Sequence, residues 1–290
     1  LAVMKNYAES VIKFETVKAT AQGTLDLEDL KAKLNDNVIG VYFENPNYLG
    51  IIEPNGQAIS DAVHAAGGLS LVGVDPISLG VLSTPPTYGA DIVCGDLQPL
   101  GIHMYYGGGQ SGFMATTDDE KFVMEFPSRL FGIAPTSEPG EYGFGDVAYD
   151  RTSFGHHREH GKEYVGTQSA LWGITAGVYL ATMGPKGMAE VDELIMANAQ
   201  YAAKKLAEIP GVKVNPFGGA FFKEFVVDFT ATGKTVEEIN KALLAKGIFG
   251  GKDLSKDFPN LGQSALYCVT EVHMKEDLDT LAAAIAEVIK

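Results

Sequence analysis

Two short apolar runs constrain this chain more than anything else in it: Leu69–Val74 and Asp91–Cys94, each bounded by Gly and Pro. Runs of this length, apolar throughout rather than alternating, fit strands buried on both faces of a parallel sheet. Polar residues follow the carboxyl end of each run, at Asp75 and at Asp96 to Gln98. In an open α/β sheet that edge is where ligands bind. The flanking segments alternate in the same sense. Asp26–Leu34 carries apolar residues at Leu27, Leu30 and Leu34 with acids in its first turn, an amphipathic helix with a favourable start. Val38–Phe43 reads as a strand, Ala58–Ala66 as a helix stopped by Gly67-Gly68, and the Asn45-Pro-Asn and Glu53-Pro-Asn-Gly segments as turns. Strand, helix, strand, helix, strand implies parallel strands with right-handed crossovers.

Leu1–Glu9 has a helical pattern, and Val11–Val17 alternates like a strand. Ser111–Thr116 and Phe122–Met124 are expected as further strands. Pro127–Lys162 shows no period and is expected as a long loop at an active site or interface. Two helices follow, Gly166–Met183 and Lys186–Ile209, separated by Gly184-Pro185. The remainder reads as a small α+β domain. It has strands at Ala220–Phe229 and Ala265–Thr270, a short turn or strand at Gly247–Gly251 and a terminal helix at Lys275–Ile289. Another helix, through Leu244, is capped by Thr235 with Glu238 completing a capping box. The expected division is a large domain over 1–184 and a small one over 185–290.

A formal charge of −15 on 290 residues argues against a protein that tracks nucleic-acid phosphates. No run reaches the ~20 apolar residues of a membrane span. The two cysteines, Cys94 and Cys268, sit in apolar runs and read as reduced core thiols, which suits a cytoplasmic protein.

Few motifs carry chemistry by themselves. Gly107, Gly109 and Gly112 have dinucleotide-loop spacing, but the residues after them read as a strand, so a glycine turn between strands is favoured. His156, Glu159 and His160 fit a zinc-binding spacing, but glycines flank them in a polar loop, and a solvated loop is favoured. Asp75 before Pro76 suits a helix cap as well as it suits catalysis. Cys94 has no basic neighbour to activate it. Neither GxxxxGK[ST] nor GxSxG occurs.

A resemblance goes further. It rests on many collinear segments: Tyr42-Phe-Glu-Asn-Pro-Asn-Tyr-Leu-Gly-Ile-Ile-Glu, Val74-Asp-Pro-Ile-Ser-Leu-Gly, Tyr88-Gly-Ala-Asp-Ile-Val, Gln98-Pro-Leu-Gly-Ile, Thr167-Gln-Ser-Ala-Leu, Tyr179-Leu-Ala-Thr-Met-Gly-Pro-Lys-Gly, Phe221-Phe-Lys-Glu-Phe-Val-Val, Lys246-Gly-Ile-Phe-Gly-Gly and Val269-Thr-Glu. From about Tyr7 to its end the chain resembles the alpha subunits (subunit 1) of the split P-proteins of the glycine cleavage system, the glycine dehydrogenases (decarboxylating). That family has the α/β fold of the fold-type I pyridoxal-phosphate (PLP) transferases, with a mainly parallel sheet in the large domain and a smaller α+β C-terminal domain. Family members are longer at the amino end, so the chain is expected to be an amino-terminally truncated piece.

The resemblance also implies what is missing. PLP-binding relatives use an Asp to hold the pyridine nitrogen protonated and a Lys as Schiff base. Matching Gly73 and Gly89-Ala-Asp91 puts Val72 and Pro99 at those positions, and no lysine lies between Lys33 and Lys121. No covalent PLP is therefore expected on this chain. It would sit on a homologous beta subunit (subunit 2) in a heterotetramer that decarboxylates glycine and passes the aminomethyl group to the lipoylated H-protein. The alternative is a stand-alone, non-catalytic protein of this fold that binds a ligand or partner. A noncovalent PLP aminotransferase or lyase is disfavoured by Val72 and Pro99. Glu44, Asn45, Asp75, Gln98 and His103 are the candidates for a vestigial pocket, chosen by position alone. No metal site is expected. One segment departs from the family: Arg158-Glu-His-Gly-Lys-Glu-Tyr-Val-Gly166 stands where relatives carry a basic Arg-Glu-Lys-Ala-Thr-Ser-Asn run.

Overall fold

The computed structural model describes residues 1–104, 110–147, 152, 159, 161 and 169–290. Gly107 to Gly109, His156, Arg158, His160 and residues 162–168 lie outside them. The chain falls into two compact units, one of residues 1–90 and 184–290 and one of residues 91–183.

The first unit begins with α1 (Ala2–Ala8) and α2 (Leu27–Lys33). Asp26 starts α2 by accepting from the Glu28 and Asp29 amides, and Leu30 is its buried anchor. Strand β1 (Gly40–Glu44), helix α3 (Gly56–Ala65) and strand β2 (Leu69–Val74) then form a β-α-β unit, with β1 and β2 parallel and Phe43 opposite Val72. Helix α3 buries Ile59, Ser60 and Val63. Ser60 and Ser70 satisfy each other across the buried helix–strand contact at 2.8 Å.

The rest of the first unit is a four-stranded antiparallel sheet with helices on one face. We label its strands β7 (Lys213–Val214), β8 (Glu224–Asp228), β9 (Lys252–Asp253) and β10 (Ser264–Cys268), in the order β7-β8-β10-β9. The second half of a long helix, α5 (Ala170–Ala207), packs there with α6 (Val236–Leu244) and α7 (Lys275–Val288). Phe221, Phe225, Phe229, Tyr267, Leu206, Ile239, Leu243 and Ile285 form the core. Period-2 alternation on β10 buries Ala265 and Tyr267 and turns Cys268 outward. Cys268 is thus an exposed free thiol rather than the core residue its apolar run implies.

The capping box of α6 forms as read. Thr235 Oγ1 accepts from the Glu238 amide at 3.2 Å, and the Thr235 amide donates to Glu238 Oε2 at 2.8 Å. Thr235→Ala is expected to cost about 1 kcal/mol of stability, seen as a lower urea midpoint at unchanged slope.

The second unit holds β3 (Ile92–Asp96) and β4 (Gly112–Thr116), paired antiparallel, with Cys94 opposite Met114. It also holds α4 (Glu120–Val123), β5 (Leu130–Pro135), β6 (Tyr142–Val147) and the first half of α5. Gly184 (φ 61°, ψ 176°) breaks α5 just before Pro185.

Three sequence expectations fail. Val11–Val17 forms no strand: its alternation persists as half-buried Ile12 and Phe14, but among the described residues no neighbouring strand supplies a ladder. Phe122–Met124 lies in and after α4 instead of a strand, because Asp119 caps it by accepting from the Lys121 amide at 3.0 Å. The described part of Pro127–Lys162 is not plain loop, since β5 and β6 form a hairpin with Phe131 opposite Asp146 and Ile133 opposite Phe144. Glycines at 132, 143 and 145 remove the apolar alternation by which such a strand is recognised.

Candidate functional site

The carboxyl ends of β1 and β2 carry a polar cluster built by three segments of the first unit. Asp75 follows β2 directly. Its carboxylate accepts from the Ile77 amide at 3.3 Å, and its carbonyl accepts from Ser78 Oγ at 2.7 Å. It therefore starts the tight turn Pro76–Gly80, the capping role its place before Pro76 allows. The same carboxylate is paired with Lys223, which enters ahead of β8. Both side chains are largely buried, at 17% and 18% exposure for Lys223 and Asp75. Burial opposes the charge on Lys223, but the charge and hydrogen bond of Asp75 outweigh it and raise the amine above its ordinary value.

Among the described residues of this cluster, acids outnumber cations. Burial raises Glu224; Lys223 counters this in part, while Asp75 and Glu44 add to it. Asp192 on α5 is fully buried, and its Oδ2 accepts from the Gly80 amide at 2.7 Å. Its burial, opposed by that hydrogen bond and reinforced by the charges of Asp75 and Glu271, pushes the carboxyl up to about 7.

The five position-based candidates have different local partners. Glu44 ends β1 and accepts from Tyr42 Oη at 3.0 Å. Gly73, opposite it in register, leaves room for that pair: a Cβ there would lie 2.3 Å from Tyr42 Oη. Asn45 has a structural task, since its side chain accepts from the Glu53 amide at 3.0 Å and donates to the Glu53 carbonyl at 3.3 Å. Asp75 joins the charged cluster. Gln98 belongs to the second unit, where its side-chain amide donates to the Ile102 carbonyl at 2.9 Å and closes a local turn. His103, also in the second unit, is exposed.

Sequence reasoning missed Glu53, Lys223, Glu224 and Asp192. Glu53 is 6% exposed and accepts from the Leu25 amide at 2.7 Å and the Asn55 amide at 3.0 Å, so one carboxylate ties the end of the loop after β1 to the segment before α2. Gly50 in that loop passes against β8, where a Cβ would lie 2.0 Å from the Glu224 carbonyl oxygen, and its φ of +87° also demands glycine. The signal for Lys223 and Glu224 was their adjacency inside an otherwise aromatic strand. Val72, by contrast, is fully buried on β2, opposite Phe43.

A cleft of about 750 Å³ lies at the β9–β10 side of the C-terminal sheet, lined by Tyr48, Glu224, Phe249, Lys252, Cys268 and His273 among others. Among the described residues no group of three or more His, Cys, Asp or Glu side chains is placed to hold a metal ion. No described helix is long and apolar enough to cross a membrane.

The sequence profile of the Glycine cleavage system P-protein family matches residues 1–285. A "Probable glycine dehydrogenase (decarboxylating) subunit 1" from Pyrococcus furiosus is 39% identical over 291 residues, covering 100% of this chain and 63% of that protein. Proteins of the same description from Staphylothermus marinus and Saccharolobus islandicus are 38% and 39% identical, with 56% and 59% of their lengths covered. The chain thus spans about six-tenths of these relatives. A crystal structure of glycine decarboxylase (P-protein) of the glycine cleavage system, in inhibitor-bound form, superposes with a TM-score of 0.88 at 34% identity, covering 99% of this chain and 62% of that one. A sphingosine-1-phosphate lyase from Burkholderia pseudomallei (TM-score 0.69, 15% identity) and a NifS-like protein from Rickettsia africae (0.67, 14%) share the fold.

Proposed function

Because this chain belongs to the glycine cleavage system P-protein family, with the fold of the fold-type I PLP enzymes, we propose that it is a supporting subunit of a glycine decarboxylase whose PLP is carried by a partner beta subunit. The complex would be a cytoplasmic heterotetramer that decarboxylates glycine and hands the aminomethyl group to the lipoylated H-protein.

One observation carries the division of labour: the residues here do not fit PLP. The ring needs a carboxylate at its pyridine nitrogen and an amine at its aldehyde before it can serve as an electron sink. Val72, matched to the carboxylate position, is fully buried and uncharged. Pro99, matched to the lysine position, has no amine, and no lysine lies between Lys33 and Lys121. Lys223 and Asp75 are a lysine and an aspartate at the right edge of the sheet, but they are closed on each other and leave no space for a ring between them. The chain's own contribution is then to hold the strand-end edge through Glu53, Asn45 and the Asp75–Lys223 pair, and to complete the assembly around the partner's site.

The test is an absorbance spectrum with added PLP, before and after borohydride, for this chain alone and with the full-length beta subunit. The expected result is no borohydride-fixed PLP on this chain, and glycine decarboxylation only when both chains are present. PLP fixed to a lysine of this chain would overturn the reading. If the chain stays monomeric with the beta subunit supplied, the stand-alone alternative takes its place.

A further inference from the structure

Asp192 stands apart from the rest of the polar cluster. It is the one buried carboxylate of the long helix, and nothing in the proposed function uses it. Its residue is 0% exposed, its Oδ2 takes the Gly80 amide, and its Oδ1 is buried with no hydrogen-bond partner. A buried carboxylate with one oxygen unanswered is costly when charged. The contact is also tight. A Cβ on Gly80 would lie 2.2 Å from Asp192 Oδ2 and 2.7 Å from the Met188 carbonyl oxygen, so only glycine lets the Pro76–Gly80 turn approach the helix.

The charges facing Asp192 come from three other segments: Asp75 at the end of β2, Lys223 before β8, and Glu271 after β10. Lys223 is already committed to Asp75. On its own helix, Lys186 and Glu190 pair with each other in solvent, and Glu193 is exposed. Ionised Asp192 therefore meets two acids and a cation that is already engaged.

We propose that Asp192 is a proton-operated clasp: protonated, it holds the Pro76–Gly80 turn against α5, and ionised, it loosens that turn and with it the carboxyl edge of β2. Ionisation strengthens the Gly80 hydrogen bond, but loss of hydration and repulsion from Asp75 and Glu271 exceed that gain. The raised carboxyl, at about 7, puts the transition in the neutral range. The sign follows from linkage: a carboxyl raised on folding binds its proton more tightly in the folded chain, so its contribution falls as pH rises from the unfolded value near ~4 through about 7.

The experiment uses the whole chain. Carboxyl ¹³C NMR of the wild type follows each aspartate with pH, and hydrogen exchange of the 76–82 segment, corrected for intrinsic rate, follows the turn. The expected result is one aspartate with a midpoint near 7 that is absent from Asp192→Asn. Protection of 76–82 should drop about tenfold between pH 6 and 8 in the wild type and stay flat in the variant. A wild type in which no aspartate titrates above ~5 would overturn the clasp, and that reading needs no variant to fold. Parallel loss of protection in both proteins would overturn it equally.

Discussion

Lys223→Met will destabilise the chain by about 3–5 kcal/mol, because it leaves the buried Asp75 without the cation it is paired with. Lys223 and Asp75 are each more than four-fifths buried, and Glu224 lies beside them as a further acid. Removing one partner of such a pair costs far more than the pair contributes on its own, since the survivor keeps its desolvation and loses its compensation. The measurement is a urea titration, with a lower midpoint at unchanged slope. Adding Asp75→Asn to Lys223→Met should return much of the loss, because it removes the stranded charge. If the single variant loses under ~1 kcal/mol, water reaches Asp75 and the cluster is not the buried one described. The pH dependence has a definite sign. The amine is raised on folding, so the pair's contribution is complete below its unfolded value of about 10.5 and is lost as pH climbs through the folded one. Wild-type melting temperature should therefore fall in strong alkali more steeply than that of Lys223→Met.

Phe225→Ala will cost a comparable amount, about 3–5 kcal/mol, by a different route. Phe225 is 1% exposed on the inner face of β8, 5.2 Å from the Phe221 ring and 6.4 Å from Tyr267, with which it stacks at 18°. Truncation removes the transfer free energy of the ring and opens a cavity under α5, α6 and α7 that rigid neighbours fill only in part. Phe225→Leu should lose less, since it keeps much of the volume. Equal losses in the two variants would show that ring packing, and not cavity volume, sets the cost. Both are read by the same denaturant titration.

The two substitutions fall at positions of unequal legibility. Phe225 is plain from its strand, where Phe221, Phe222, Phe225, Val226 and Val227 cluster and no other placement would shield them. Asp75 is legible as a cap and Lys223 as an odd charge among aromatics, but that they meet is not. The same holds for Asp192. Its place in a helix follows from periodicity, whereas its bond to Gly80 joins residues 112 apart in sequence. Gln98 and His103 follow a strand end as Asp75 does, and position alone shows neither the Ile102 carbonyl that Gln98 meets nor the exposure of His103.

Some of this protein is determined by local sequence. Asp26 and the Thr235–Glu238 box start helices where they stand, because a cap needs only its own next three residues. Gly184-Pro185 breaks α5 because Pro185 has no amide to donate and disfavours helical geometry in the residue before it, and Gly184 readily takes the positive φ of 61°. Leu69–Val74 becomes β2 residue for residue, as an apolar run too short for a helix and too uniform for a surface. Tertiary structure decided the rest. Val11–Val17 has strand alternation and, among the described residues, no ladder partner, while Leu130–Pro135 has its period interrupted by glycine and becomes a strand because Tyr142–Val147 pairs with it. The burial that moves the carboxyl of Asp192 and the ion pair that fixes Lys223 arise in the same way. A cap or a helix break is decided by free energies within a few residues, whereas a ladder, a buried charge and its counter-ion depend on which distant segment arrives beside them, and no local pattern encodes that neighbour.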